Sequence, residues 1–248
     1  NASTHLTIST MNALFDKIKY HLQGQIPFAV YSKPGSDVVT GLFQKEENTN
    51  YLRDYSQQGF VFAPFNSDRR IFIPAKGVEI VRTVIDNIGF SLGEPQQPEI
   101  DSKAKNDFEL LVAKSVSAIR LGKFDKLVVS RRETAMLKDA DIKHILKNLL
   151  LAYPNAFCYC FYTPETGLWM GATPEQLLKA NDNTIHTVAL AGTRLYRVGE
   201  EAVWPAKEKQ EQQFVTDYIL DELKPFVAGI ETTQPYTYRA GNIVHIKT

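Results

Sequence analysis

One stretch organises the interpretation of the whole sequence: Leu168-Trp169-Met170-Gly171-Ala172-Thr173-Pro174-Glu175-Gln176-Leu177-Leu178. Within it, Thr173 is a good N-cap residue, Pro174 suits the first helical position, and Gln176 completes a Thr-x-x-Gln capping box. The stretch therefore predicts a strand that turns into a short helix, with Glu175 at the N-terminus of that helix. Its apolar residues predict that this corner is buried.

A carboxylate in such a corner has two interpretations. The amide groups and the dipole of a helix N-terminus stabilise an anion, so the role of Glu175 could be purely structural. The apolar neighbours favour a functional role instead, because a buried carboxylate costs stability unless something compensates it.

Composition excludes several classes of protein. A chain of 248 residues with 44% hydrophobic residues can bury a substantial core. Lys and Arg total 28 and Asp and Glu also total 28, so no net field favours nucleic acid. Apolar runs stay well short of the ~20 residues of a membrane span, and the N-terminus does not resemble a signal peptide. We therefore expect a cytoplasmic protein that binds neither nucleic acid nor membrane.

The hydrophobic pattern predicts an α+β fold with large, mostly antiparallel sheets and helices packed outside them. Helices are predicted over residues 11–22, 102–121, 140–152 and 205–227. Strands are predicted over 28–31, 38–43, 59–64, 70–73, 126–137, 156–162, 168–170 and 243–247, with further strands between 178 and 191. The second helix carries an apolar stripe that should face a core: Phe108, Leu111, Val112, Val116 and Ile119. A polar segment with two prolines, 93–98, is the best linker candidate. The two cysteines, Cys158 and Cys160, should be reduced core residues on one strand face.

The first candidate site residue is Lys126, which begins the predicted strand 126–137. The two-residue period of a strand places it on the same face as the apolar Val128. Burial and nearby cations such as Arg131 would favour the neutral amine that a basic catalyst needs. The alternative is a solvated lysine at a strand end.

Two acids form the second candidate site. Glu208 and Glu211 lie three residues apart on the predicted helix 205–227 and share a face that continues through Val215 and Ile219. Two carboxylates one turn apart repel each other unless a cation lies between them, and Mg²⁺ with oxygen ligands would serve. The alternative is a first turn that faces solvent, with the acids offset by neighbouring lysines.

A turn rich in small residues follows the predicted strands near residue 191. Gly192 would let backbone amides approach an anion closely, and Arg194 could assist. A plain turn at a strand end explains Gly192 equally well.

Four motifs, in this order and at these separations, resemble the chorismate-utilising enzymes, and specifically the isochorismate synthases. They are Lys126-Leu-Val-Val-Ser-Arg131, Gly171-Ala-Thr-Pro-Glu175-Gln-Leu-Leu178, Leu190-Ala-Gly-Thr-Arg194 and Lys207-Glu-x-x-Glu211. The resemblance implies the large α+β fold of anthranilate synthase component I and one enzyme domain over 3–248. Within that domain, 3–98 is the less diagnostic part and 99–248 carries the motifs.

The resemblance also implies a reaction. Water attacks C2 of chorismate and the C4 hydroxyl leaves, which isomerises chorismate to isochorismate. By resemblance, Lys126 is the general base for the water and Glu175 is the general acid for the departing hydroxyl. Relatives that use ammonia typically have glutamine at position 126, so the lysine indicates the branch that uses water.

The remaining implied residues bind the metal and the substrate. Glu208 and Glu211 would hold the Mg²⁺ that binds the C1 carboxylate of chorismate, and Gly192, Thr193 and His245 match positions that line the substrate. Both menaquinone and siderophore pathways are compatible with this assignment.

Family members continue well beyond the position of Thr248, and that part normally supplies a second pair of metal-binding glutamates. We therefore expect this chain to be C-terminally incomplete and inactive alone. The nearest alternative is a salicylate synthase, which shares Lys126 and Glu175 and adds pyruvate elimination. The second alternative is a non-catalytic scaffold or inactive fragment.

Overall fold

The computed structural model describes residues 5–85, 101–136 and 141–248, which form two compact units. The first unit contains 5–85 and 141–176, and the second contains 101–136 and 177–248. The predicted linker at 93–98 lies outside the described residues, and the single-domain assignment stays a prediction. None of the helices in the described ranges has the length and apolar character needed to cross a bilayer.

The predicted α+β class is confirmed. The helices are α1 (Met11–Gln23), α2 (Ser102–Arg120), α3 (Ile142–Ala152) and α4 (Ala206–Leu223). The strands of the first unit are β1 (His5–Ile8), β2 (Phe28–Ser32), β3 (Val38–Phe43), β4 (Asn50–Tyr51), β5 (Gly59–Phe62), β6 (Ile71–Pro74), β7 (Glu79–Val84), β8 (Phe157–Thr163) and β9 (Gly167–Thr173). Those of the second are β10 (Lys179–Asn181), β11 (Thr184–His186), β12 (Leu190–Leu195), β13 (Tyr236–Ala240) and β14 (Ile243–Lys247).

The first unit is built on a six-stranded sheet with the order β1-β7-β3-β2-β8-β9, antiparallel except for the β1–β7 pair. Alternation along β2 and β8 separates the two faces, as the period of a strand requires. Phe28, Val30 and Cys160 pack on the face that α1 and α3 cover. Ala29 and Phe161 pack on the opposite face, against residues of the three-stranded sheet β4-β6-β5.

Both cysteines are free and buried in that core, which confirms the prediction. Cys158 Sγ lies 3.5 Å from the carbonyl oxygens of Leu149 and Tyr153. Burial raises the pKa of Cys160 to about 12, so its thiol stays protonated and unreactive at neutral pH.

The second unit is built on the three-stranded antiparallel sheet β12-β14-β13. Helix α4 packs on β12 and β14 with Gln212 and Thr216 buried. It ends at Leu223, earlier than predicted, because Pro225 has no N–H group to continue the helical hydrogen bonds after Lys224. Strands β10 and β11 form a separate hairpin.

Three sequence predictions are wrong. Each relied on a local sequence pattern alone, without knowledge of the elements that pack against or pair with the segment. Helix α2 forms from its Asp101 N-cap, but none of its residues is buried, so the predicted stripe is not a core face. Residues 126–136 form no strand, because a strand needs a neighbour for its backbone hydrogen bonds and no described strand pairs with them. Leu137 lies outside the described residues. The segment after Pro174 is not helical.

His21 makes the stability of the first unit depend on pH. Its ring is 5% exposed, packs 4.9 Å from the Phe43 ring centroid, and has a buried Nδ1 with no hydrogen-bond partner among the described residues. Burial, followed by the charge of Lys17, lowers the pKa of His21 below 6.5. The unfolded chain therefore binds a proton more readily than the folded chain, and stability falls as pH drops below 6.5, by at most about 1.4 kcal/mol per pH unit.

We expect His21→Leu to remove this component. Urea unfolding at pH 7.5 and 5.5 should show a smaller acid loss in His21→Leu than in the wild type. Equal pH dependence in the two proteins would contradict the assignment.

Candidate active site

An ion pair joins Lys126, the first candidate site residue, to Glu211 of the second candidate site. Lys126 Nζ lies 3.5 Å from Oε1 of Glu211, and the two side chains are 27% and 36% exposed. Lys126 follows the turn that closes α2, where Gly122 adopts φ +67°, and Glu211 lies on α4. Lys126 is thus not a solvated lysine, which was the alternative to a catalytic role, and it is not part of a strand.

The paired acids lie on the side of α4 that packs towards the sheet. Glu208 and Glu211 are both partly buried and precede the buried Gln212 and Thr216 on the helix. Glu208 Oε2 is buried and has no hydrogen-bond partner within the described ranges. A buried carboxylate oxygen without a donor is unfavourable, so this site is chemically incomplete without a cation or a donor.

Gly192 marks an irregularity in β12 beside Glu208. The register of β12 against β14 shifts between Ala191 and Arg194, and Gly192 has φ +70°. This is the left-handed conformation that glycine supplies at a bulge. A Cβ on Gly192 would lie 3.4 Å from the Cβ of Glu208 and 3.3 Å from the Trp204 ring.

His245 stabilises the bulge. Its Nδ1 lies 2.9 Å from the Gly192 carbonyl oxygen and 3.2 Å from Thr193 Oγ1. A carbonyl oxygen only accepts hydrogen bonds, so the compatible neutral tautomer carries its proton on Nδ1 and donates it to Gly192. That tautomer leaves Nε2 as an acceptor. Gly192, Thr193 and His245 thus form one cluster, and their role in lining the substrate stays a prediction.

Glu175 belongs to the first unit, and the environment predicted for it is wrong. The residue is exposed, as are Leu177 (89%) and Leu178 (52%). Strand β9 continues through Thr173, which pairs with Phe157 of β8 and therefore does not start a helix. The Glu175 backbone N–H donates to Thr173 Oγ1 across 3.4 Å, a local turn in place of the predicted cap.

Arg194 and Gln212 have roles that the sequence did not indicate. Arg194 donates to the Val203 carbonyl oxygen and so stabilises a loop, while its part in anion binding stays a prediction. Gln212 is 1% exposed, and its amide nitrogen lies 2.9 Å from the hydroxyls of Thr216 and Thr248. A polar residue at an inward position of α4 was the available signal for this contact.

The carboxylates fit a magnesium ion as a partial ligand set. The described part of the chain contains no group of three or more His, Cys, Asp or Glu side chains suited to a metal. Mg²⁺ in proteins is often held by one or two carboxylates, with water and substrate oxygens completing the shell. The unpartnered Oε2 of Glu208 and the nearby carboxylate of Glu211 meet that requirement.

Gly192→Ala should destabilise the second unit by about 1–2 kcal/mol or more, because an alanine at positive φ is strained and its Cβ would press on Trp204 and Glu208. Gly199→Ala is the matched control, since Gly199 has φ +78° and nothing within 4 Å of its Cβ position. Urea unfolding followed by Trp204 fluorescence should show the larger loss for Gly192→Ala. Equal losses would mean that the contacts around Gly192 give way.

Comparison with known proteins gives the family. Residues 92–248 match the family described as "Chorismate binding enzyme". A salicylate biosynthesis isochorismate synthase of Pseudomonas aeruginosa is 27% identical over 161 residues, which are 61% of this chain and 34% of that protein. The isochorismate synthase MenF of Escherichia coli is 24% identical over 153 residues, 58% of this chain and 35% of that protein. The chain therefore spans about a third of the length of these curated relatives.

Solved structures agree on the fold. The structure of MenF, the menaquinone-specific isochorismate synthase, matches with a TM-score of 0.58 at 12% identity, covering 89% of this chain and 63% of that one. DhbC of Bacillus anthracis, assigned as a 2,3-dihydroxybenzoate-specific isochorismate synthase, matches with a TM-score of 0.67 at 13% identity, covering 96% and 69%. With the family match extending over more than half of the chain and including Lys126, Glu208 and Glu211, the chain belongs to the chorismate-binding enzyme family.

Proposed function

We propose that the full-length protein is an isochorismate synthase, which converts chorismate to isochorismate with Mg²⁺ as cofactor. One observation carries the proposal: Lys126 lies 3.5 Å from Glu211 on the helix that also carries Glu208. An amine in contact with one carboxylate, on a helix that carries a second carboxylate one turn away, would supply a base and metal ligands. The relatives named above are all isochorismate synthases, whereas their pathways differ, so the proposal concerns the reaction and not the pathway.

In the proposed reaction Lys126 is the general base and Glu175 is the general acid. Neutral Lys126 takes a proton from the attacking water, and the remaining hydroxide oxygen bonds to C2 of the ring. The ring double bonds shift, the bond from C4 to its hydroxyl breaks, and Glu175 donates a proton so that the hydroxyl leaves as water. One water is consumed and one is released, which makes the reaction an isomerisation.

Other residues of the second unit would position the substrate. The His245 Nε2 lone pair can accept a hydrogen bond from a substrate hydroxyl, and Thr193 offers a hydroxyl beside it. Glu208 and Glu211 would hold Mg²⁺, which supplies charge neutralisation and orientation for the substrate carboxylate.

The proposal is tested with the full-length gene product, chorismate and Mg²⁺, followed by chromatography and NMR of the products. We expect isochorismate, and no turnover after treatment with EDTA. Salicylate together with pyruvate would establish the salicylate synthase alternative. Unchanged chorismate under these conditions would leave the non-catalytic scaffold.

A further inference from the structure

The contact between Lys126 and Glu211 conflicts with the two roles assigned to these residues. Glu211 cannot give its full negative charge to a metal while it neutralises an ammonium group 3.5 Å away. The two cations would also repel each other, because Mg²⁺ and Lys126 would lie a few ångströms apart on one carboxylate. This repulsion is only partly screened, since both side chains are more than half buried.

Glu208 differs from Glu211 in this respect. Its Oε2 is buried and lacks a hydrogen-bond partner among the described residues, whereas the Glu211 carboxylate has an ammonium partner. The site thus contains one acid without a counter-charge and one whose counter-charge is already supplied by the protein. The side chain that supplies it is the candidate base itself.

We propose that the ammonium group of Lys126 and Mg²⁺ compete for the Glu211 carboxylate, so that metal binding at Glu208 and Glu211 displaces Lys126 from its ion pair. The lysine stabilises the helix face in the absence of metal and weakens metal binding. Metal binding in turn frees the amine from the acid. This inference deepens the proposed function, because it rests on the same metal site.

The competition is tested by measuring the Mg²⁺ affinity of the full-length protein by titration calorimetry, without chorismate. Lys126→Met keeps the approximate volume of the side chain and removes its charge, so we expect Mg²⁺ to bind about tenfold more tightly to this variant than to the wild type. Lys126→Gln should tighten binding similarly, which provides a second neutral variant should the first not fold. Lys126→Arg keeps the charge and should stay within about threefold of the wild type.

Two further proteins separate competition from a general field effect. Lys209→Met removes one exposed positive charge two residues before Glu211 on α4, where side chains do not face each other, and should change Mg²⁺ affinity by less than about twofold. In a Glu211→Gln background, Lys126→Met should lose its effect, because the shared carboxylate is gone.

The proposal is overturned if the wild type and Lys126→Met bind Mg²⁺ equally, if Lys209→Met tightens binding as much as Lys126→Met, or if the wild type shows no Mg²⁺ binding. The outcome is independent of the proposed reaction. If the protein makes no isochorismate but the tenfold difference in Mg²⁺ affinity is found, the proposed function is refuted and the competition stands. If it makes isochorismate but Mg²⁺ affinity does not differ, the competition is refuted and the proposed function stands.

Discussion

Replacing Lys126 with alanine is expected to lower the rate of isochorismate formation by a factor of about 10²–10⁴, the usual contribution of a positioned general base. The amine at this position is the only group to which the proposed reaction assigns the proton of the attacking water. Its removal leaves the proposed substrate contacts of Thr193 and His245 in place. The loss should therefore appear mainly in kcat, with KM changed much less, when initial rates are measured with the full-length protein.

Two variants define what such a loss means. Lys126→Arg keeps a positive charge next to Glu211 but is a very poor base, so it should be nearly as inactive as Lys126→Ala. Lys209→Ala, at an exposed position of the same unit, should retain activity within about twofold. Wild-type activity in Lys126→Ala would refute the role of Lys126 as a base and revive the scaffold hypothesis.

Phe161→Ala should lower the free energy of unfolding of the first unit by about 3–5 kcal/mol. The side chain is fully buried on β8, and its ring centroid lies 4.3 Å from that of Phe62 and 5.5 Å from that of Phe60. Truncation leaves a cavity between two packed sheets, and strands held by backbone ladders on both sides cannot move to fill it.

Urea unfolding followed by tryptophan fluorescence measures this loss. In a Trp204→Phe background the signal comes from Trp169, whose ring lies 5.3 Å from Phe62, so it reports on the first unit. Phe65→Ala removes the same atoms from a fully exposed position and should change stability by less than about 0.5 kcal/mol. A loss for Phe161→Ala as small as for Phe65→Ala would show that this core is not packed as described.

Local patterns predicted most elements of the fold. The stripe of Met11, Leu14 and Ile18 encodes α1, and the helix begins after Thr10, whose side chain caps it. Strands β3 and β14 have the predicted bounds, because the alternation of side chains and the turn residues that define them lie within or next to each segment. These elements were accessible because each signal lies within about a dozen residues of chain.

The same reasoning failed where an element depends on a distant partner. A capping box at Thr173 predicted a helix, but pairing with β8 keeps that residue in a strand. The apolar run after Lys126 predicted a strand, yet no described strand pairs with it. Propensity is a weak preference, and the ladder hydrogen bonds of a neighbour outweigh it.

Residue types and motif order were sufficient to identify Lys126, Gly192, Glu208 and Glu211 as candidates and to indicate the family, because chemistry of this kind is limited to a few side chains. Only the folded chain decided that Lys126 pairs with Glu211, that a Glu208 oxygen is buried without a partner, and that His245 holds the Gly192 carbonyl. The Lys126–Glu211 contact joins residues 85 positions apart in the chain, and the His245–Gly192 contact joins residues 53 positions apart. Their distances and charges arise from packing between elements, which no local pattern encodes.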